Sequence, residues 1–123
     1  MSKASLKIIS DKLTGAGINY EFGEWTSDVI YPYFVGEYQE SEPITEDGLI
    51  ESTFILTGFS RGSWLELENA KEIIQRLFSN FTIITESGSG LAIYYAGALI
   101  VPTGDAELKR IEIRLNVNEW MVN

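Results

Sequence analysis

The sequence predicts an α+β fold. It is a mainly antiparallel sheet with two helices on one face, in the order α-β-β-β-α-β-β-(β)-β, within a single domain spanning residues 1–123. Three observations carry that prediction. Apolar and polar residues alternate with a period of two in several runs, most cleanly where Ile111, Ile113, Leu115 and Val117 interleave with Glu112, Arg114, Asn116 and Asn118; this marks a strand with one buried face. Two other stretches repeat their apolar residues at three- and four-residue spacing, as a helix does when one side lies on a core. The strands are joined by connections of hairpin length, which antiparallel neighbours use.

Taken in order, Leu6, Ile9 and Leu13 form an i, i+3, i+7 stripe with Lys7, Asp11 and Lys12 off it. Gly15 or Gly17 supplies the stop, giving a first helix of about three turns. Ile18–Trp25 (INYEFGEW) alternates Ile18, Tyr20 and Phe22 against Asn19, Glu21 and Gly23 and reads as a strand, with Thr26–Asp28 turning the chain. Pro32 lacks a ladder donor and therefore opens the next strand rather than sitting inside it; Tyr33–Tyr38 forms that strand and a first hairpin. Glu40–Gly48 is a polar loop. The third strand, about Leu49–Phe59, sets Phe54 and Leu56 against Thr53, Ile55 and Thr57. Gly58 and Gly62 loosen the chain, and Ser63 with Glu66 makes a capping-box pattern that starts a helix near Trp64.

In that helix Leu67, Ala70, Ile73, Ile74, Leu77 and Phe78 make the apolar side, and Glu66, Glu68, Lys71, Glu72, Gln75 and Arg76 the wet one. Phe81–Thr85 is a short strand and Glu86–Gly90 a turn. Leu91–Tyr95 and Ala98–Val101 are either two arms about Ala96-Gly97 or one strand with a glycine bulge. Pro102–Glu107 is a loop before the last strand. Phe22, Phe54 and Phe78 are read as core residues.

Composition removes several chemistries. A chain of this length buries roughly two-thirds of its unfolded surface and folds without staples. With neither Cys nor His, zinc-finger and zinc-hydrolase sites, thiol nucleophiles and His-based triads are excluded. Eighteen acidic against nine basic residues give a formal charge of −9, which opposes binding to a phosphate backbone. The opening residues lack the apolar core and cleavage site of a signal peptide. Leu91–Val101, the longest apolar run, is too short for a membrane-spanning helix; no membrane role and synthesis in the cytoplasm are expected.

No catalytic constellation stands out. The acidic residues Glu40, Glu42, Glu46 and Asp47 lack the alternating ligands and closing glutamate of an EF-hand. Gly88-Ser89-Gly90 opens a strand without the Lys-Ser/Thr of a phosphate loop. No cofactor, no metal and no enzymatic activity are expected. The aromatics are more informative, because tryptophan is enriched at interface hot spots; this draws attention to Trp25, Trp64 and Trp120, and to Tyr31 and Tyr33 near the first of them.

Three strings, EWTSDVIYPYFVGEY, DGLIESTFILTGFSRGSWLELENAKEII and LAIYYAGALIVPTGDAELKRIEIRL, together with the element order, resemble the small tail-completion proteins of siphovirus-like phages and of prophages in low-GC Gram-positive bacteria. The resemblance, to tail terminators and tail-to-head joining proteins alike, spans nearly the whole chain. It implies a structural virion protein, made in the host cytoplasm, that closes as a hexameric ring at the head-proximal end of the tail tube. There it would end tube growth and dock the head connector. The implied partners are further copies of the chain, the tube protein and the connector or head-closure protein, with DNA passing an acidic lumen without specific binding. Loop and end residues then become interface candidates: Trp25, Tyr31, Tyr33, Glu46, Asp47, Trp64, Ser87, Gly88, Thr103, Asp105 and Trp120. The alternative is a non-structural binding module, such as an immunity, adaptor or acidic DNA-mimic protein. A mimic would line its carboxylates up on one face, whereas here basic residues intervene, as in LKRIEIR.

Overall fold

The computed structural model describes residues 1–40 and 48–120. Helix α1 (Lys3–Gly15) starts where the Ser2 hydroxyl accepts from the Ser5 amide at 3.1 Å, satisfying one of the orphan donors of the first turn. It ends as the Ala16 amide reaches back to the Lys12 and Leu13 carbonyls, and Gly17, at φ +84°, turns the chain away. Helix α2 (Trp64–Leu77) is capped by the Ser63 hydroxyl, which accepts from the Leu65 amide at 3.2 Å. The reciprocal half of the expected capping box is not made. Glu66 instead accepts from the Ser60 hydroxyl at 2.7 Å, pinning the start of α2 to the strand before it.

Among the described residues six strands form one sheet in the order β1-β2-β3-β6-β5-β4, comprising β1 (Tyr20–Phe22), β2 (Tyr33–Glu40), β3 (Leu49–Arg61), β4 (Phe81–Ile84), β5 (Gly90–Val101) and β6 (Leu108–Trp120). Its centre is the antiparallel pair β3 and β6, in register from Leu49 opposite Trp120 to Arg61 opposite Leu108. The expected first hairpin is absent. β1 is shorter than the expected Ile18–Trp25 strand and runs parallel to β2. Gly23, at φ +85°, leaves the strand direction, and the connection crosses over instead of folding back. That crossover is held by Glu21, whose carboxylate accepts from the Thr26 hydroxyl at 2.7 Å and from the Thr26 and Ser27 amides. These bonds favour the ionised carboxylate and lower its pKa, the Thr26 hydroxyl contributing most. Between the two possibilities for 91–101, β5 is one continuous strand with a register shift between Tyr95 and Gly97, where Gly97 sits at φ +123°.

One face of the sheet carries the core. Phe34, Phe54, Leu56, Ile93, Ile113 and Leu115 pack with Ile9 and Leu13 of α1 and Leu67, Ile74 and the neighbouring Phe78 of α2. Each such side chain withdrawn from water contributes roughly 1.5–3 kcal/mol. The helices cover this face only, so β6 keeps one buried and one wet side although it is central. Phe22 corrects the expectation that it is core: it is 48% exposed. It ends the short edge strand, stacking on Tyr38 and Phe54 at 6.1 and 6.4 Å without being covered. No helix among the described residues is long and apolar enough to cross a membrane.

Candidate functional site

The interface candidates separate onto the two ends of the sheet. At the end where β2 starts and β3 finishes, the open face carries an aromatic shelf. Trp25 lies on Tyr33 at 4.8 Å between centroids, Tyr31 on Tyr33 at 5.6 Å, and Tyr33 on Phe59 at 5.2 Å. The crossover 23–32 delivers Trp25 and Tyr31 to this place, with the Trp25 indole N–H donating to the Asp28 carbonyl at 3.2 Å. The strand register supplies the remainder, because Tyr33 is opposite Phe59 and Phe59 opposite Arg110.

Two guanidinium groups rim the shelf. Arg61 stands 6.0 Å over the Tyr31 ring and donates to its hydroxyl at 3.4 Å. Asp105 and Glu107 lie 3.8 Å from the same guanidinium; pairs this exposed are worth about 0–1 kcal/mol and orient the group more than they stabilise it. Arg110 stands 5.8 Å over Phe59, and its Nε is a buried side-chain donor without a hydrogen-bond partner among the described residues. Burial, then the neighbouring Tyr31, pushes the Tyr33 hydroxyl above its ordinary pKa.

The structure thus brings Trp25, Tyr31, Tyr33 and Asp105 together. Trp64 is at the same end, but at the start of α2, with the Lys109 ammonium 5.7 Å above its ring. Thr103 is engaged inside its own loop, where its hydroxyl bonds the Leu108 carbonyl at 2.8 Å and accepts from the Asp105 amide at 3.1 Å. It shapes the loop and is not a free contact group.

Trp120 defines the opposite end. Its indole lies across Gly90, where an added Cβ would sit 3.7 Å from the ring, and with Ile84, Ala92, Thr82 and Tyr94 it lines an apolar hollow of about 430 Å³. Ser87 and Gly88 form the adjacent turn, in which Gly88 takes φ +89° and donates to the Thr85 carbonyl at 2.9 Å. Glu46 and Asp47 lie outside the described residues. Between the two ends runs a polar groove of about 430 Å³ lined by Gln39, Glu51, Thr53, Tyr94, Asn116 and Asn118. Arg110 and Trp120 are ten residues apart on β6, a span of roughly 33 Å at the rise of a strand.

Sequence reasoning missed Glu119, which is buried beneath the Trp120 end. Its carboxylate accepts from the Ser2 amide at 3.2 Å, the Ser2 hydroxyl at 2.7 Å and the Ser89 hydroxyl at 2.7 Å, and the Thr85 hydroxyl bonds Ser89 at 2.6 Å. The signal was available: continuing the buried phase of β6 two residues past Val117 lands on Glu119. Phe59, Arg61 and Arg110 were also missed as partners of the shelf.

Comparison of the chain with protein-family models and with curated proteins returns no match.

Proposed function

We propose that this chain is a structural virion protein that assembles as a hexameric ring at the head-proximal end of a phage tail tube, ends tube growth and docks the head connector. The observation that supports this reading is the pair of chemically different surfaces at the two ends of one sheet. A ring seated between two partners needs one face for each. An aromatic shelf rimmed by arginines suits a partner presenting flat apolar groups and carboxylates, whereas the Trp120 hollow suits an apolar plug. The net charge of −9 is in keeping with a lumen through which DNA moves without adhering. The role is mechanical and asks for no catalytic group.

The test is native mass spectrometry of the chain over a wide concentration range, followed by adding it to polymerising tail-tube protein and measuring tube lengths by electron microscopy. A closed hexamer that caps tubes at a defined length is the expected result. Tubes that grow as long with the protein as without it would sink the proposal.

A further inference from the structure

The two edges of the sheet are incompletely paired, and their free parts match. On one side β1 covers β2 only from Phe34 to Gly36. The Phe34 amide and the Gly36 carbonyl face outward, bonding Asn19 and Gly23. The period of two then turns the amides and carbonyls of Tyr38 and Glu40 outward as well, and no described strand pairs with them. On the other side β4 covers β5 only from Gly90 to Ile93, and the Tyr95 amide bonds the Phe78 carbonyl. Past the bulge, alternation along β6 directs the inward groups to Gly97, Leu99 and Val101, leaving those of Ala98 and Ile100 on the free side.

Beyond the bulge at Gly97, this second edge carries none of the charged or covering groups that usually protect one. Ala96–Val101 (AGALIV) has no charge and no proline, and Leu99 and Ile100 are 45% and 57% exposed. Monomeric proteins blunt such edges with lysine, proline or a covering element. Below Ile100 a hollow of about 240 Å³ opens between α2 and the sheet, lined by Glu68, Lys71, Ala98, Leu99, Ile100 and Ile111.

We infer that the free edge of β5 receives the free edge of β2 from a second copy of this chain, antiparallel, with Tyr38 opposite Ile100 and Glu40 opposite Ala98. Strand direction permits it, since β2 and β5 of like-oriented copies run in opposite senses. The lengths agree over the described residues. Four residues of β2, Glu37–Glu40, meet Ala98–Val101, and the ladder stops at Pro102, which has no amide to give, where β1 already occupies Gly36. Tyr38, itself half-exposed, would lie on Ile100 over the hollow.

Charge selects this pairing over β5 on β5. No Lys or Arg occurs from Leu13 through Ser60, a stretch that holds Glu21, Glu24, Glu37 and Glu40. The strand behind the β5 edge carries Lys109, Arg110 and Arg114. In the inferred register Glu37 stands beside Val101, which is opposite Arg110, and so supplies a carboxylate to the guanidinium whose Nε has no partner among the described residues. Glu40 already receives the Met1 ammonium, and Arg114 is engaged by Glu112 at 3.2 Å. The contact is head-to-tail, and it rests on the ring reading only for closure into six copies.

The chain has no cysteine, so disulfide trapping is clean. The double variant Tyr38→Cys/Ile100→Cys places thiols on a cross-strand pair whose Cα separation suits a disulfide, and oxidation is expected to yield a covalent ladder of oligomers that neither single variant forms. Dimers from Ile100→Cys alone would overturn the inference in favour of β5 on β5, and absence of cross-links in the double variant would overturn it outright. As a second measurement, Ala98→Pro removes an outward amide and no internal bond; it should keep the circular dichroism spectrum and lose association, and a folded Ala98→Pro chain that associates as before refutes edge pairing. Glu37→Arg should weaken association roughly tenfold, the worth of about 1.4 kcal/mol, with recovery in Glu37→Arg/Arg110→Glu. The ring reading fails separately: a ladder that forms but grows as open filaments, or that leaves tube length unchanged, keeps the pairing and removes the hexamer.

Discussion

Gly58→Ala is the substitution whose outcome this fold fixes most tightly. Gly58 lies opposite Phe34 in the β2–β3 ladder, and the Phe34 ring lies directly over it. A Cβ at Gly58 would be 2.3 Å from Cε1, 2.6 Å from Cζ and 2.8 Å from Cδ1 of that ring. Carbon atoms in contact sit about 3.5–4.0 Å apart, so the ring must retreat by more than ~1 Å. Phe34 is 1% exposed and closed in by the core, leaving it no room. The φ of Gly58 is not positive, so alanine here carries no backbone strain and would by itself stabilise by about 0.4–1 kcal/mol through the unfolded chain. Overpacking costs about 1–3 kcal/mol and wins. The expected net loss is about 1–2 kcal/mol, seen in thermal unfolding as a fall of roughly 4–8 °C for a domain of this size. In a Phe34→Leu background the same change should cost far less, since the flat ring is gone. A neutral Gly58→Ala, or an equal loss in both backgrounds, would refute the packing argument.

Glu119→Gln keeps shape but replaces half of an acceptor-only carboxylate with donors facing the Ser2 and Ser89 hydroxyls; a loss of roughly 1–3 kcal/mol in urea unfolding is expected, and an unchanged midpoint would contradict it. Ser63→Ala removes the α2 cap and should cost about 1 kcal/mol by the same assay, with Ser63→Gly costing less. Tyr20 has its pKa pushed by burial from 10.0 to about 12. The unfolded state therefore releases this proton first, and stability present below pH 10 declines as pH rises towards 12 by roughly 2–3 kcal/mol. Ultraviolet titration of the phenolate in the wild type and in Tyr20→Phe checks it, and a Tyr20 that ionises near 10 refutes it.

Local signals in the chain translated well. The Ser63 oxygen as acceptor at the start of α2, the Leu67, Ala70 and Ile74 stripe and the alternation of Ile111 to Val117 depend on near neighbours and stand in the structure as read, whereas the Glu66 half of the capping box does not. Trp25, Tyr31 and Tyr33 were also legible as a group, because aromatics close in sequence at a turn have few places to go. What could not be read depends on pairing between distant strands. Nothing near Tyr20 states that its strand runs parallel to Phe34–Gly36, since alternation has no direction. Arg110 joins the shelf only because Phe59 is its neighbour across β3 and β6, a register set by the whole sheet. Phe22 has the pattern of a core residue, and its exposure follows from β1 being an edge.

A strand at the middle of the sheet, β6, follows every other described strand in the chain. β6 separates β3 from β5 and gives its Glu119 to Ser2, 117 residues earlier. At about 5–20 residues per second on the ribosome, the 47 residues from Arg61 to Leu108 take roughly 2–9 s to emerge. Throughout that interval β3 waits with its inner side open, and the N-terminal helix waits for its anchor. Contacts so distant along the chain make folding slow, on the scale of milliseconds to seconds. Until β6 arrives, the inner side of β3 is an unpaired strand edge, the kind of surface on which another strand can add. Shortening the chain before Leu108 removes the keystone rather than a tail, and leaves two half-sheets with nothing to join them.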